Sequence, residues 1–279
     1  FGQLRWNLRD DIELAAGARW TKEDKAQDVV NAYRHPALDA LLRPPGDVLH
    51  SEFDDTNVSP EVTVTWYPGE TITLYAAYKT GYKSGGFASA VVLNRSYTAD
   101  NIRFRSEKAR GGEIGFKGEL LDRSLRADLT AFHYEYEDLQ VSSYDAATIS
   151  FMLNNAARAR TQGLEASLDW AATDVLRLWG RVGYTRARYE QYANAPCYPG
   201  QTAAEGCVGG SQDLSGRPLP RAPEITGALG ASYNVPVGSR LTLGIGVDAE
   251  YSDSYFTQEN LHPHARQASF WRLNGSIRL

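Results

Sequence analysis

The sequence predicts an all-β protein: a transmembrane antiparallel up-and-down β-barrel, of which about eleven strands are present. Three observations carry that expectation. The tract TVTWYPGETITLYAAYKTGYKSGGF, from Thr63 to Phe87, alternates well beyond the ~5–6 residues of an ordinary globular strand. Connections between strands alternate between tight and long. Carboxylates recur on the polar face, where a dry core would penalise them and a hydrated lumen would accept them. Lipid on one face and water on the other demand this combination.

The elements follow in chain order. Tight turns are expected at Arg9-Asp10-Asp11, Pro68-Gly69-Glu70, Asp122-Arg123-Ser124, Ala172-Thr173-Asp174 and Pro236-Val237-Gly238-Ser239. Long connections are expected over 26–56, 85–103, 138–156, 190–222 and 254–268. One plain rim and one elaborate rim suit a meandering barrel better than a Greek-key sandwich, whose connections mix less regularly.

Each strand has two faces. Ile72, Leu74, Ala76, Tyr78 and Tyr82 oppose Thr71, Thr73, Tyr75, Lys79 and Lys83. Leu164, Ala166, Leu168 and Trp170 oppose Glu165, Ser167 and Asp169. Ile225, Gly227, Leu229, Ala231 and Tyr233 oppose Thr226, Ala228, Gly230 and Ser232. Leu241, Leu243, Ile245, Val247, Ala249 and Tyr251 oppose Thr242, Gly244, Gly246, Asp248 and Glu250. The strand from Leu125 changes phase after Ala131, when Phe132, Tyr134 and Tyr136 take the other face; a bulge or emergence above the membrane would each account for it. Trp20, Trp66, Tyr67, Tyr82, Trp170, Tyr184, Tyr233, Tyr251 and Tyr255 stand near strand ends, as interfacial girdles require, although β-propensity favours the same residues.

Bulk properties agree. The chain has 279 residues, and no run reaches the ~18 apolar residues of a membrane helix. A net charge of −5 argues against a nucleic-acid partner. Residue 1 is Phe and SFWRLNGSIRL stops while still alternating, so both ends are expected to lie mid-barrel, and the missing leader carries no information about export. Cys197 and Cys207 lie among Gly, Pro and Ala without a nearby His or second Cys pair. A disulfide closing a small loop in an oxidising compartment suits them better than zinc.

Six tracts, in order, resemble the barrel of TonB-dependent outer-membrane receptors. They are FDDTNVSPEVTVTWYP (53–68), LYAAYKTGYKSGGF (74–87), Glu107 with Glu113-Ile114-Gly115-Phe116-Lys117, FHYEYEDLQVS (132–142), NNAARARTQGLEASLDW (154–170) and LSGRPLPRAPEITGALGASY (214–233). Two departures, Ala88 for a frequent Asn and Ser106 for a frequent Pro, leave the fold untouched. The resemblance implies that residues 1–279 are part of a 22-stranded barrel whose lumen is plugged, with the N-terminal plug and the closing strands absent. It further implies outer-membrane localisation, contact with lipid and lipopolysaccharide, and coupling to TonB through the missing N-terminal region. The implied activity is import of a scarce, bulky nutrient, foremost a ferric siderophore, with haem, cobalamin or carbohydrate as variants. A passive porin is the rival from another class, and a soluble β-sheet adhesion or binding module is a third.

Candidate ligand contacts are Tyr33, Arg34, His35 and His50 in the first long connection, and Arg95, Tyr97, Arg103 and Arg105 in the second. Arg and Tyr suit anionic, aromatic chelates through charge and stacking, while solvation or lipopolysaccharide phosphates would occupy the same arginines. Gly81, Gly85 and Gly86 lack the helix a phosphate loop needs and are expected to permit a bend. His262 and His264 flank Pro263 without a third ligand nearby, and Glu135, Glu137 and Asp138 have no partnered nucleophile. Neither group points to a metal site, a cofactor or an enzyme.

Overall fold

The computed structural model describes residues 1–32, 35–88, 92–145 and 150–279. Eleven strands form one antiparallel sheet in strict chain order. They are β1 (Gly2–Arg9), β2 (Ile12–Val29), β3 (Leu49–Gly69), β4 (Ile72–Lys83), β5 (Glu107–Leu120) and β6 (Leu125–Asp145). The sheet continues with β7 (Ser150–Ala171), β8 (Leu176–Gln191), β9 (Ile225–Val237), β10 (Leu241–Ser252) and β11 (Phe270–Arg278). Each strand pairs with its chain neighbours, so the topology is a meander, and β1 and β11 form its two edges.

Local chemistry closes the short turns. Thr173 accepts backbone hydrogen bonds from Val175 and Leu176 on its hydroxyl, at 3.3 and 3.0 Å, reversing the chain between β7 and β8. All five tight turns are present, three where the sequence places them and two displaced by two residues, because Pro68 and Gly69 end β3 and Pro236 and Val237 end β9.

The registers align one apolar face across the sheet. Leu14, Val64, Ala76, Ile114, Ala131, Leu164, Tyr184 and Ile225 oppose one another strand by strand. Ile114, Leu164 and Leu229 remain 62, 51 and 58% exposed, too much apolar surface for a sheet bathed in water. Facing the other way, Thr73, Lys117, Asp128, Ser167, Arg181, Ala228, Glu250 and Arg272 form a second unbroken row. The apolar face is the lipid-facing exterior, and the charged row lies inside.

The structure departs from the sequence expectation in several places. The connection expected over 26–56 is shorter, because β2 runs to Val29 and β3 already begins at Leu49. Most of the connection at 138–156 is strand: β6 reaches Asp145 and β7 begins at Ser150. Pairing survives a register shift between Tyr136 and Leu139, where Asp138 takes φ 54°. No bulge accompanies the phase change at Phe132, because the register is regular from Leu125 to Tyr136. Phe132 faces inward opposite Gly163, while the outward neighbours His133 and Gln162 mark the upper limit of the apolar band. Tyr82 is not a girdle residue, since its hydroxyl donates to Asp55 at 2.8 Å.

Candidate functional site

The inner wall combines charge with rings laid over glycines. Lys79 meets Glu113 at 2.7 Å, and Tyr134 donates to the same carboxylate at 3.3 Å. Ser167 donates to Asp128 at 3.0 Å, Asn274 donates to Asp248 at 2.7 Å, and Arg272 pairs with Glu250. Tyr75, Tyr134, Phe132 and Trp179 stand directly opposite Gly115, Gly111, Gly163 and Gly230. Each ring occupies space that a side chain on its cross-strand partner would need. A concavity of about 550 Å³ lies among Asp128, Thr130, Glu165, Arg181 and Glu250.

At the long-connection end, two assemblies form. The first joins the β2–β3 and β4–β5 connections around buried Leu49, Leu93 and Ile102. Asn31, 9% exposed, pins it by accepting from Leu93 N at 3.1 Å and donating to Leu93 O and Arg43 O at 2.9 and 3.1 Å. Arg43 reaches the Tyr97 carbonyl at 2.6 Å. Asn31→Ala is expected to cost about 1–3 kcal/mol of local stability by stranding buried backbone groups. Limited proteolysis within 35–48 and 92–106 should accelerate; an unchanged cleavage rate contradicts the pinning.

Beneath this assembly the chain after β4 folds back over the inner face of β3. Ser84 binds Glu23 and Lys25, Gly85 N donates to Ser106 Oγ at 3.0 Å, and Ser106 donates in turn to Asp55. A Cβ on Gly85 would stand 2.5 Å from Phe104 O and 2.6 Å from the Phe53 ring. Close approach, and not a left-handed bend, is what requires glycine there.

The second assembly packs Val141, Tyr189, Tyr192, Ala195, Leu214 and Leu261. Tyr189 and Tyr192 rings lie 5.0 Å apart, and burial pushes the Tyr192 hydroxyl up to about 12. Cys197 and Cys207 are joined by a disulfide with Cα atoms 5.8 Å apart. Reduction should loosen this connection without unfolding the sheet, because no main-sheet hydrogen bond depends on it. Loss of heat-modifiable gel mobility on reduction alone would refute that. The His262 ring lies 4.7 Å from Tyr198 and 5.5 Å from His264, and among the described residues no three His, Cys, Asp or Glu side chains converge as a metal site.

The sequence candidates divide between these regions. Tyr33 and Arg34 lie outside the described residues. His35 accepts from Ala37 N at 3.2 Å, capping a short 3-10 turn, and Arg95 donates to Asp39 O at 2.8 Å, so both shape the first assembly. Tyr97 packs against its apolar centre. Arg103 is exposed, with Asp100 at 3.7 Å. Arg105 lies apart, paired with Asp138 at 2.6 Å.

His50 stands at the top of β3, eight residues above Val58 and clear of the apolar band. It contacts Asp28 at 2.6 Å and Glu52 at 3.3 Å. Those carboxylates raise its pKa above the ordinary 6.5, Asp28 most. A raised pKa means its stabilising contribution is complete below pH 6.5 and fades as pH climbs through the higher folded value. An NMR titration should give a midpoint above 6.5 that falls in Asp28→Asn; a wild-type midpoint at or below 6.5 contradicts the contact.

With this geometry in place, comparison with known proteins is decisive. The family model "TonB dependent receptor-like, beta-barrel" matches residues 1–279. The chain belongs to that family. It is an outer-membrane β-barrel segment. It is 25% identical over 289 residues to the metal-pseudopaline receptor CntO of Pseudomonas aeruginosa, matching 90% of this chain and 37% of that protein. It is also 25% identical over 254 residues to the ferric-pyoverdine receptor PbuA of a Pseudomonas species, covering 88% of this chain and 27% of that one. Among solved structures, the ferric yersiniabactin receptor FyuA of Yersinia pestis superposes with TM-score 0.73 at 15% identity, covering 99% of this chain and 36% of that one. The siderophore receptor PiuA of Acinetobacter baumannii gives 0.71 at 21% identity, over 98% and 35%. The chain thus spans little more than a third of the curated receptor CntO.

Within this TonB-dependent receptor barrel, sequence reasoning missed Asn31, Arg43 and the Ser84–Ser106 network. Asn31 alone carried a signal, as a polar residue just beyond an alternating strand. Its partner Leu93 lies 62 positions away, which no local pattern reports.

Proposed function

We propose that this chain supplies wall and ligand-collecting rim to a TonB-energised importer of metal chelates, foremost a ferric siderophore. The observation that carries the reading is the division of faces within the sheet, an apolar row outward across β2–β9 and a polar, charged row inward across β4–β11, with the two interlocked assemblies at one end. That end faces the medium, and exposed Arg103 with the Tyr198–His262 ring pair offers charge and stacking to an anionic aromatic chelate. The curated relatives, named for metal-pseudopaline and ferric-pyoverdine, support a metallophore as cargo. The charged inner row is the surface against which a plug would seat, and TonB would engage outside residues 1–279.

The test is growth of a strain lacking the full-length gene under iron restriction, with single siderophores as the iron source and zinc restriction alongside. Loss of growth on one chelate supports import of that cargo. Growth equal to wild type on every chelate, with no induction on metal starvation, overturns it. A full-length gene encoding only further strands, without a plug of ~100–150 residues, would instead indicate a porin.

A further inference from the structure

The two assemblies at the long-connection end share one stretch of wall. Leu139 and Val141 of β6 belong to the apolar packing of the second assembly. Gln140, between them, is bonded toward the first. Its side-chain amide donates to Ser84 O at 2.9 Å and to Arg105 O at 3.1 Å, and its backbone N–H donates to Glu107 at 2.9 Å. Asn155, opposite Gln140 on β7, holds both the N–H and the carbonyl of Arg105, and Asp138 pairs with the Arg105 guanidinium at 2.6 Å. Two register shifts, after Tyr136 and after Leu139, lie within this stretch, and such bulges re-aim side chains.

Ser84 and Arg105 lead directly into the first assembly. Gly86 and Phe87 pair with Phe104 and Arg103, Ala88 N donates to Ile102 O at 2.7 Å, and Ile102 is buried with Leu49 and Leu93. A continuous run of packed and hydrogen-bonded groups thus connects Tyr189 to Leu93. Tyr189 itself is 1% exposed, and its hydroxyl has no hydrogen-bond partner among the described residues. Burial of such a group is unfavourable, and exposure to water relieves it. The packed form of the second assembly therefore stands in balance with local opening of the connections at 190–222 and 254–268.

We propose that residues 138–141 couple the two assemblies, so that the rim opens and closes as one unit, with Gln140 as the positioning residue. Loosening around Tyr189 shifts Leu139 and Val141, and with them the amide that holds Ser84 and Arg105. By reciprocity, a molecule seated on either assembly biases the other. This coupling belongs to the chain's own conformations, whatever the cargo, and growth on single chelates does not read it.

The experiment is hydrogen exchange of the full-length receptor in phospholipid nanodiscs, read at 190–222 and at 84–87 with 103–106. Tyr189→Phe removes the stranded hydroxyl. It should slow exchange about 5-fold or more at 190–222 and about 2-fold or more at the other segments. Leu214→Ala, which hollows the second assembly, should accelerate exchange at both. In a Gln140→Met background, Tyr189→Phe should still slow 190–222 but leave 84–87 and 103–106 unchanged. A merely structural role for Gln140 would shift the baseline without cancelling that response. Asn155→Ala, which releases Arg105 from the neighbouring strand, is the second uncoupling variant and gives the same reading should Gln140→Met lack native heat-modifiable mobility. Any of three results overturns the coupling: Tyr189→Phe fails to slow 190–222, the segments 84–87 and 103–106 ignore both perturbations, or their response survives intact in the uncoupled variants.

Discussion

Leu229→Arg is expected to destabilise the membrane-inserted barrel by about 2–4 kcal/mol, the penalty for an arginine on the lipid face near the bilayer midplane. Leu229 lies in β9 between Gly180 and Ala249 on the outward face and is 58% exposed. Outward neighbours on its own strand, Gly227 and Ala231, offer no counter-charge. The adjacent residue is the control. Ala228 points inward between Arg181 and Glu250, so Ala228→Arg meets a carboxylate and water. It should cost far less. Urea unfolding of the full-length receptor in phospholipid vesicles, with heat-modifiable mobility as a check on assembly, measures both. Equal destabilisation by the two substitutions would mean that the division into lipid and lumen faces is wrong.

Gly163→Ala is expected to cost about 3 kcal/mol, the upper range for overpacking. A Cβ there would stand 2.0 Å from the Tyr184 carbonyl oxygen and 2.9 Å from the Phe132 ring. The ring can rotate away; the carbonyl belongs to the β7–β8 ladder and cannot move without disturbing its hydrogen bonds. Phe132→Ala in the same chain should therefore rescue only part of the loss. A Cβ on Gly69, by contrast, would meet nothing within 4 Å, and Gly69→Ala should change stability by no more than about 0.5 kcal/mol. If Gly163→Ala were as mild as Gly69→Ala, strands β6 to β8 would not pack as closely as described.

Much of the fold was legible in the residues because the relevant signal is local. Side chains alternate with a period of two along a strand, so Leu241 to Tyr251 against Thr242 to Glu250 declares both faces without reference to any partner. Turn residues such as Thr173 act within three positions. Two local signals are misleading in this chain. Asp138 and its neighbours looked like loop, yet the β6–β7 pairing resumes past them to Asp145 and Ser150. Tyr82 looked like a girdle residue, but Asp55 and Ser106 draw its hydroxyl into a polar network.

The candidate site was less legible, for a physical reason. The chemistry of a loop side chain does not determine which partner lies near it. Arg105 is held by Asp138, 33 positions away, and Arg95 by the Asp39 carbonyl, 56 positions away. Asn31, outside any motif of the sequence, bonds both connections of the first assembly.

By itself, then, the amino-acid order determined strand periodicity, turn placement, which face meets lipid, and membership of a barrel architecture. Those properties arise from neighbours within a few residues and from the solvent on each side. Only the tertiary structure decided the rest. It set which rings cover which glycines, which arginines are neutralised, and how separate connections interlock. Those outcomes depend on register between strands far apart in the chain, and a one-residue slip would have sent every side chain to the opposite face.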